Sequence, residues 1–557
     1  MDKWFNKAII YQVYPKSFND TNNDGVGDIK GIIDKIGYLK GLGINTVWLN
    51  PIYISPQIDN GYDVSNYFAV DSSLGTMKDV ETLIATLHNN GMKLIMDFVM
   101  NHTSDQHPWF KDAIQNPDSI YRNYYLWAKG KKDKKPNNWG SFFGGSVWEK
   151  VPQSDDYYFH LFDKHMPDLN WKNPEVQKAV TDIAKFWVKK GIDGLRLDAF
   201  IHIDKANFSQ DYPANGNEKF PLAESFYANR YGVQKYLRYF VSELKKLNQN
   251  LFIVGEASSA NVNLAVDYSL KSNQLCDSVI TFRNFADDHS NSNKHLPDNF
   301  QPASLDVGKF RQKFAVWESN LEGISYPTLY WSNHDMARVA TRYADPNRLE
   351  ISLKTLATAM YLQKGLPIIY YGEEIGMQNL QFSDFSDFDD QTVKSFRENA
   401  IKQNYDKKQI LDMLNATHKM SARGAMQWND SKYHGFSNHI PWKNGKTTKT
   451  NVKTQLNETT SILNFYKKLF RVKQSDLFIT GVETILNTNN QVFAYQRETS
   501  NESALVICNL SSSQETFNFD ESAVGWKEIF NINNVNISSN RINLPAWGSI
   551  VLRKVDE

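Results

Sequence analysis

Short runs of apolar residues recur along the chain at 9–13, 46–49, 94–99, 194–197, 252–254, 279–282, 329–331 and 368–371. Runs of this length, apolar without alternation, are the pattern of strands buried on both faces. Between several of them the period changes to that of a helix. Over 176–190, Val176, Val180, Ile183, Ala184 and Trp187 fall on one face, and Gly191 follows as the stop. Buried strands alternating with helices predict an α/β fold, a (β/α)8 TIM barrel. A doubly wound sheet is the alternative, but no glycine-rich dinucleotide turn follows any of these runs.

The spacing is uneven after the third run. Residues 103–171 are rich in Asp, Lys, Tyr and Trp and too long for a simple connection, which predicts an inserted, loop-rich subdomain. Beyond about residue 481, short strand-like runs are broken by Asn, Ser and Gly, the texture of a small antiparallel β domain. The expected organisation is therefore a catalytic barrel over 1–102 and 172–480, an insert over 103–171, and a C-terminal β-sandwich over 481–557.

Composition narrows the partners. The 557 residues carry 62 Lys+Arg against 62 Asp+Glu, so neither counterion release on nucleic acid nor attraction to an anionic membrane drives binding. Neither nucleic acid nor membrane is expected as a partner. Hydrophobic residues are 41% and charged residues 22%, which suits a large buried core. Cys276 and Cys508 are too few for a disulfide framework and read as free thiols in a reducing compartment. The opening stretch has Asp2 where a leader would be basic and only a short apolar run, and no stretch approaches the ~20 apolar residues of a membrane helix. A cytoplasmic monomer is expected.

In a barrel the active site forms at the carboxyl ends of the strands. Asn101 and His102 follow the third run, Arg196 and Asp198 end the fourth, Glu256 follows the fifth, and Asn333, His334 and Asp335 follow the seventh. A single strand-end Asp is more often a helix cap, and a single His a hydrogen-bonded filler. Carboxylates, an arginine and histidines recurring at four strand ends are harder to explain that way. Paired carboxylates without Cys ligands suggest glycoside chemistry, in which two carboxyls about 5–5.5 Å apart give retention. Metal hydrolysis competes, but no HExxH or similar close-spaced set appears.

The stretches IIYQVYPKSFND, DNGYDVSNY, DFVMNHTSDQHPWF, MPDLNW, GLRLDAF, GEAS, WSNHD, YYGEEIGM and GAMQW occur in this order over nearly the whole chain. In these motifs the sequence resembles glycoside hydrolase family 13, the α-amylase family, and within it the oligo-1,6-glucosidase and α-glucosidase group. The resemblance implies Asp198 as nucleophile, Glu256 as general acid and base, and Asp335 as the carboxylate that favours the distorted sugar. It implies that Arg196 keeps Asp198 ionised, and that Asp59, Tyr62, His102, His334 and Arg423 bind the sugar. Arg423 stands in ARGAMQW where the family usually has ARTPMQW. No organic cofactor is implied.

Asp20, Asn22, Asp24, Val26 and Asp28 place oxygen donors two residues apart around Gly25, the way a hard cation is wrapped. An Asx-rich turn without an ion explains the same string, and the twelfth position lacks the Glu of an EF-hand. The resemblance implies one structural Ca2+ here.

The implied substrate is a short oligosaccharide of the maltose or isomaltose type, opened from its non-reducing end. Ala199 after the nucleophile, Met166 in MPDLN and Ala257-Ser258 after Glu256 depart from the α-1,6-cleaving pattern and lean the reading towards α-1,4 links or a broad preference. Sucrose isomerases, trehalose synthases and trehalose-6-phosphate hydrolases share the implied triad. The charged loop of the isomerases is not matched by ITFRNFADD at 280–288. Non-catalytic transporter heavy chains carry a membrane helix and an incomplete triad, unlike this chain. The stretch 382–396, acidic and aromatic, reads as a solvated surface loop or a border of the leaving-group sites.

Overall fold

A computed structural model describes residues 3–131, 134–214, 219–283, 293–448, 450–489, 491–518, 525–538 and 541–555. The eight expected strands form, with ends displaced by at most two residues: β1 (Ile10–Val13), β2 (Thr46–Leu49), β3 (Lys93–Val99), β4 (Gly194–Asp198), β5 (Phe252–Glu256), β6 (Ser278–Ile280), β7 (Thr328–Leu329) and β8 (Leu366–Tyr370). Every residue of β1, β2, β4 and β8 is buried, which is why these runs do not alternate. The strands make one sheet in the order β6-β5-β4-β3-β2-β1-β8-β7. That is chain order, with β1 paired in parallel to β8 (Ile10 opposite Ile368), as a (β/α)8 barrel requires.

Helix α1 (Pro174–Lys190) shows how sequence sets the intervening elements. The Asn173 side chain accepts from the Glu175 N–H, Pro174 occupies the first turn where its missing N–H costs nothing, and Lys189 and Lys190 sit against the C-terminal dipole. Gly191 ends the helix at φ 101°, a conformation that would strain a residue with a Cβ. The expected face of Val176, Val180, Ile183, Ala184 and Trp187 is the buried one.

The chain divides into two compact units, one of residues 48–85 and 93–281, the other of 1–47, 86–92 and 282–557. Within the first, the long connection after β3 holds the helix Pro108–Gln115 and a three-stranded antiparallel sheet of Trp127–Lys129, Asp156–Phe159 and Trp148–Lys150. Its core is aromatic: Trp148 meets Phe159 and Phe208 edge-on, and Phe110 stacks on Trp127.

In the second unit the C-terminal strands β9 (Val482–Ile485), β10 (Val492–Glu498), β11 (Glu502–Asn509), β12 (Glu515–Asn518), β13 (Lys527–Ile532), β14 (Asn536–Ser538), β15 (Arg541–Leu544) and β16 (Ser549–Val555) form two antiparallel sheets, ordered β9-β10-β11-β16-β13 and β12-β15-β14. Val492, Ile507 and Ile550 of one sheet share a core with Ile542 and Leu544 of the other. Cys276 and Cys508 are both free and buried.

The stretch 382–396 lies at the surface, but most of its aromatic side chains do not. Phe382, Phe388 and Phe396 are 5%, 0% and 2% exposed and belong to a hydrophobic cluster with Leu414 and Met420. Its acids cap instead: Asp384 and Asp390 accept backbone N–H groups at the starts of short helices. Phe382, Phe388 and Phe396 are core, while the Asp384 and Asp389 side chains stay 52% and 86% exposed, so the stretch is a surface segment with an apolar underside.

After β8, Glu373 and Glu374 are buried among tyrosines. The Tyr361 and Tyr466 hydroxyls donate to Glu373, and those of Tyr11 and Tyr38 donate to Glu374 at 2.8 and 2.6 Å. Burial, aided by the neighbouring Glu374 charge against the tyrosine hydrogen bonds, pushes Glu373 up to about 8. The folded chain therefore keeps a proton there at pH values where the unfolded chain has lost it, so this group's stabilisation is full below the ordinary carboxylate range and declines as pH rises to about 8. Glu373→Gln, which stays neutral, should show a shallower fall of unfolding free energy from about pH 5 to about pH 8, by at most about 1.4 kcal/mol per pH unit. Parallel curves for the two proteins in urea titrations would refute the assignment.

Candidate active site

In the first unit, three parallel strands bring three carboxylates to one cation. Asp97 of β3 lies in register with Arg196 of β4, and Arg196 with Val254 of β5, so the guanidinium reaches both neighbours. Its Nη1 donates to Asp97 Oδ1 at 2.8 Å and to Asp198 Oδ1 at 2.7 Å, and Nη2 donates to Glu256 Oε2 at 2.6 Å. Period-two alternation puts Arg196 and Asp198 on the same face of β4. The arginine and Asp97 are fully enclosed, whereas the Asp198 and Glu256 side chains keep 12% and 13% of their surface.

Burial raises Asp198 well above the usual carboxylate range; Arg196 pulls it down, and Glu256 and Asp97 push it up again. Asp97 rises to about 6 by burial, with Arg196 opposing. Burial disfavours the Arg196 cation, but the surrounding carboxylates outweigh this and hold it charged. Three carboxylates on one guanidinium favour keeping a proton in the cluster. A site with one carboxyl to give a proton and another to attack needs that arrangement.

Tyr62 and Asn50 support the cluster from the loops after β2. The Tyr62 hydroxyl donates to Asp97 Oδ2 at 2.9 Å, and Trp48 Nε1 donates to the same oxygen at 3.2 Å. The Trp48 and Tyr62 rings also flank the guanidinium, 5.3 and 5.9 Å from it. Asp59 lies on the same loop, half-buried; its backbone N–H is held by the buried Asp63 carboxylate, which also accepts from Ile58 N–H and the Ser55 hydroxyl. Asn60 and Gly61, at φ 52° and 106°, make the turn.

His102 sits beyond the end of β3 in a polar network. Asn101 Nδ2 donates to His102 Nδ1 at 3.3 Å and to Asp168 Oδ2 at 2.9 Å, while Lys205 Nζ reaches Asp168 at 2.6 Å and Asn101 Oδ1 at 2.8 Å. Burial lowers His102 to about 4, so the ring is neutral at pH 7. With Nδ1 accepting, Nε2 carries the hydrogen, and this buried donor has no hydrogen-bond partner among the described residues. It suits a sugar hydroxyl.

In the second unit, Asp335 follows β7 and its N–H is capped by Asn333 Oδ1 at 2.8 Å. His334 Nε2 lies 3.1 Å from Asp335 Oδ2, and Arg423 Nη2 lies 3.2 Å from Asp335 Oδ1. Arg423 Nε also donates to the His334 carbonyl, and Gln12 Nε2 lies 2.8 Å from His334 Nδ1. His334, Asp335 and Arg423 are thus one cluster, its imidazole and guanidinium buried and its carboxylate 28% exposed.

The loop 20–28 is self-satisfied. Asp20 accepts from the N–H groups of Asn22, Asn23 and Gly25 and from Ser437, and Asp24 accepts from Val26 N–H. Asp28 caps the following helix at Gly31 and holds Thr21. The donor chemistry suits a hard cation, but no group of three His, Cys, Asp or Glu side chains is arranged to hold a metal among the described residues.

Comparison with known proteins bears out the resemblance. The family model for the alpha amylase catalytic domain matches residues 12–481, and that for the alpha-amylase SusG C-terminal domain matches 492–551. The chain belongs to the α-amylase family. It is 36% identical to the oligo-1,6-glucosidase of Parageobacillus thermoglucosidasius over 99% of both chains, and 37% identical to the trehalose-6-phosphate hydrolase of Bacillus subtilis (strain 168) over 94% of this chain and 93% of that one. A solved family GH13_31 enzyme matches with a TM-score of 0.90 at 49% identity, covering 99% of this chain and 100% of that one. As a member of the family, the chain is a glycoside hydrolase.

In these α-amylase-family clusters the sequence reading missed Asp97 and Lys205 in the first unit and Gln12 in the second. Asp97 carried a signal, an acid inside an otherwise apolar strand, which a buried run tolerates only when the charge is paired. The α-1,4 lean gains nothing from the structure. Ala199, Met166 and Ala257 are buried and Ser258 is half-buried, and none of these positions separates the two linkages. Positions 284–288 of the isomerase comparison lie outside the described residues. Asp97→Asn removes one of the charges that lift Asp198, so the acid limb of the glycosidase kcat/KM profile should move to lower pH; an unmoved limb would show that Asp97 does not act on Asp198.

Proposed function

We propose that this chain is a retaining, exo-acting α-glucosidase that releases glucose from the non-reducing end of short α-glucosides. The observation that carries the reading is the shared guanidinium, which holds Asp198 and Glu256 by separate nitrogens while leaving both carboxyls partly open. Asp198 attacks the anomeric carbon as Glu256 protonates the departing glycosidic oxygen, giving a glucosyl ester and a free aglycone. Glu256, now ionised, takes a proton from water as the water oxygen attacks the same carbon, which frees Asp198 and yields glucose with retained configuration. Arg196 balances the charge of Asp198 before attack and after release. Asp335, paired to His334 and Arg423, serves as the third carboxylate and holds ring hydroxyls of the distorted sugar.

The neutral His102 donates to a hydroxyl of the same sugar, and Asp59 and Tyr62 grip its non-reducing end. The inserted segment, tied to the end of β3 by the Asn101–Asp168 bond, walls the subsite and favours chain ends over chain interiors. No organic cofactor enters this chemistry. The reading covers both isomaltose-type and maltose-type links: the side chain next to Asp198 is the small Ala199, and the relatives include proteins named for 1,6-linked oligosaccharides. Trehalose 6-phosphate is the second reading, carried by the relative of that name.

Glucose release from isomaltose, maltose, sucrose, trehalose and trehalose 6-phosphate tests it. Both isomaltose and maltose should be turned over, with activity lost at least about a thousandfold in Asp198→Asn. Turnover of the phosphorylated sugar alone would replace the reading with the second one, and no turnover of any sugar would overturn both.

We also infer one structural Ca2+ in the loop 20–28. Millimolar Ca2+ should raise Tm by several degrees and chelator should reverse it; an unchanged Tm would leave the loop's own N–H network as its staple.

A further inference from the structure

We propose that the C-terminal domain carries a second, non-catalytic oligosaccharide-binding groove where its two sheets part. The groove has a volume of about 600 Å3, within the range of small-molecule sites. Phe517 of edge strand β12 and Trp526, immediately before edge strand β13, line it, both half-buried and packed against the sandwich core. Asn487, Gln496, Thr516 and Asn518 surround them with amides and a hydroxyl.

The lining chemistry selects the ligand. Among the described residues that line this groove none is acidic or basic; they are amides, hydroxyls, aromatic rings and aliphatic side chains. Aromatic faces cover the apolar C–H faces of a pyranose, while amides and hydroxyls both donate to and accept from its hydroxyl groups. A neutral polyol with apolar ring faces meets both demands. The choice of an α-glucosidic oligosaccharide over other neutral sugars rests on the function proposed above. The groove is built by residues from 486 onwards, remote in sequence from the strand-end carboxylates. It would retain the enzyme on longer glucans without taking part in bond cleavage.

The test uses the full chain with Asp198→Asn, so that glucan is not digested, in native gels containing dextran or soluble starch. Mobility should fall relative to sugar-free gels. Trp526→Ala, and independently the milder Asn518→Ala with Gln496→Ala, should each weaken this retardation about tenfold, the scale of losing a main contact. Unchanged Tm and circular dichroism in the milder variant would separate loss of binding from loss of fold. Absence of retardation by either glucan, or retardation that survives both sets of substitutions, overturns the proposal. Hydrolysis of maltose and isomaltose by the chain with Asp198 intact is run alongside. Failure there would remove the glucosidase reading and leave the groove decided by the gels.

Discussion

One buried guanidinium organises the catalytic half of this molecule. Arg196 makes charge-assisted bonds to carboxylates on its own strand and on both neighbouring strands, all inside a region shielded from water. Taking these charges out of water is costly, and removing one partner of such a set typically costs 3–5 kcal/mol because the rest are left uncompensated. The interaction constrains more than itself: β3, β4 and β5 must keep the register that places Asp97 and Val254 beside Arg196. A slip of one residue would turn each side chain to the opposite face of the sheet.

The enclosed Asp97 explains why Asp198 and Glu256 are not simply neutralised by the arginine. A guanidinium shared with a third carboxylate gives each of the exposed pair only part of its charge. The low local dielectric then keeps Asp198 sensitive to protons, a property that suits a nucleophile working beside an acid at one carbon. Asp97 touches neither the opening nor, in the proposed reaction, the sugar; it sets the electrostatic level at which its neighbours operate.

Much of this was legible in the chain. The strands are continuous apolar runs because parallel barrel strands are covered on both faces, and their polar endings exposed Asp198, Glu256 and Asp335 as candidates. Asp97 was passed over because its importance depends on pairing with a residue 99 positions away. Lys205 escaped for the same reason: only the fold brings it to Asp168. Phe382 and its neighbours were harder to read, since the exposed acids of the stretch hide the fact that its phenyl rings turn inward to the core. Linkage preference resisted reading because Ala199, Met166 and Ala257-Ser258 are small or apolar side chains whose chemistry does not distinguish one glycosidic linkage from another.

The closure of the sheet between β1 and β8 has a consequence for synthesis on the ribosome. β1 ends at residue 13, and its partner begins at residue 366. At ordinary elongation rates roughly half a minute passes between the emergence of the two. During that interval one edge of β1 presents apolar side chains and unpaired backbone groups, the template on which strands of other chains assemble. The first strand therefore waits through most of translation for the partner that closes the sheet, with that edge open until the last strand arrives.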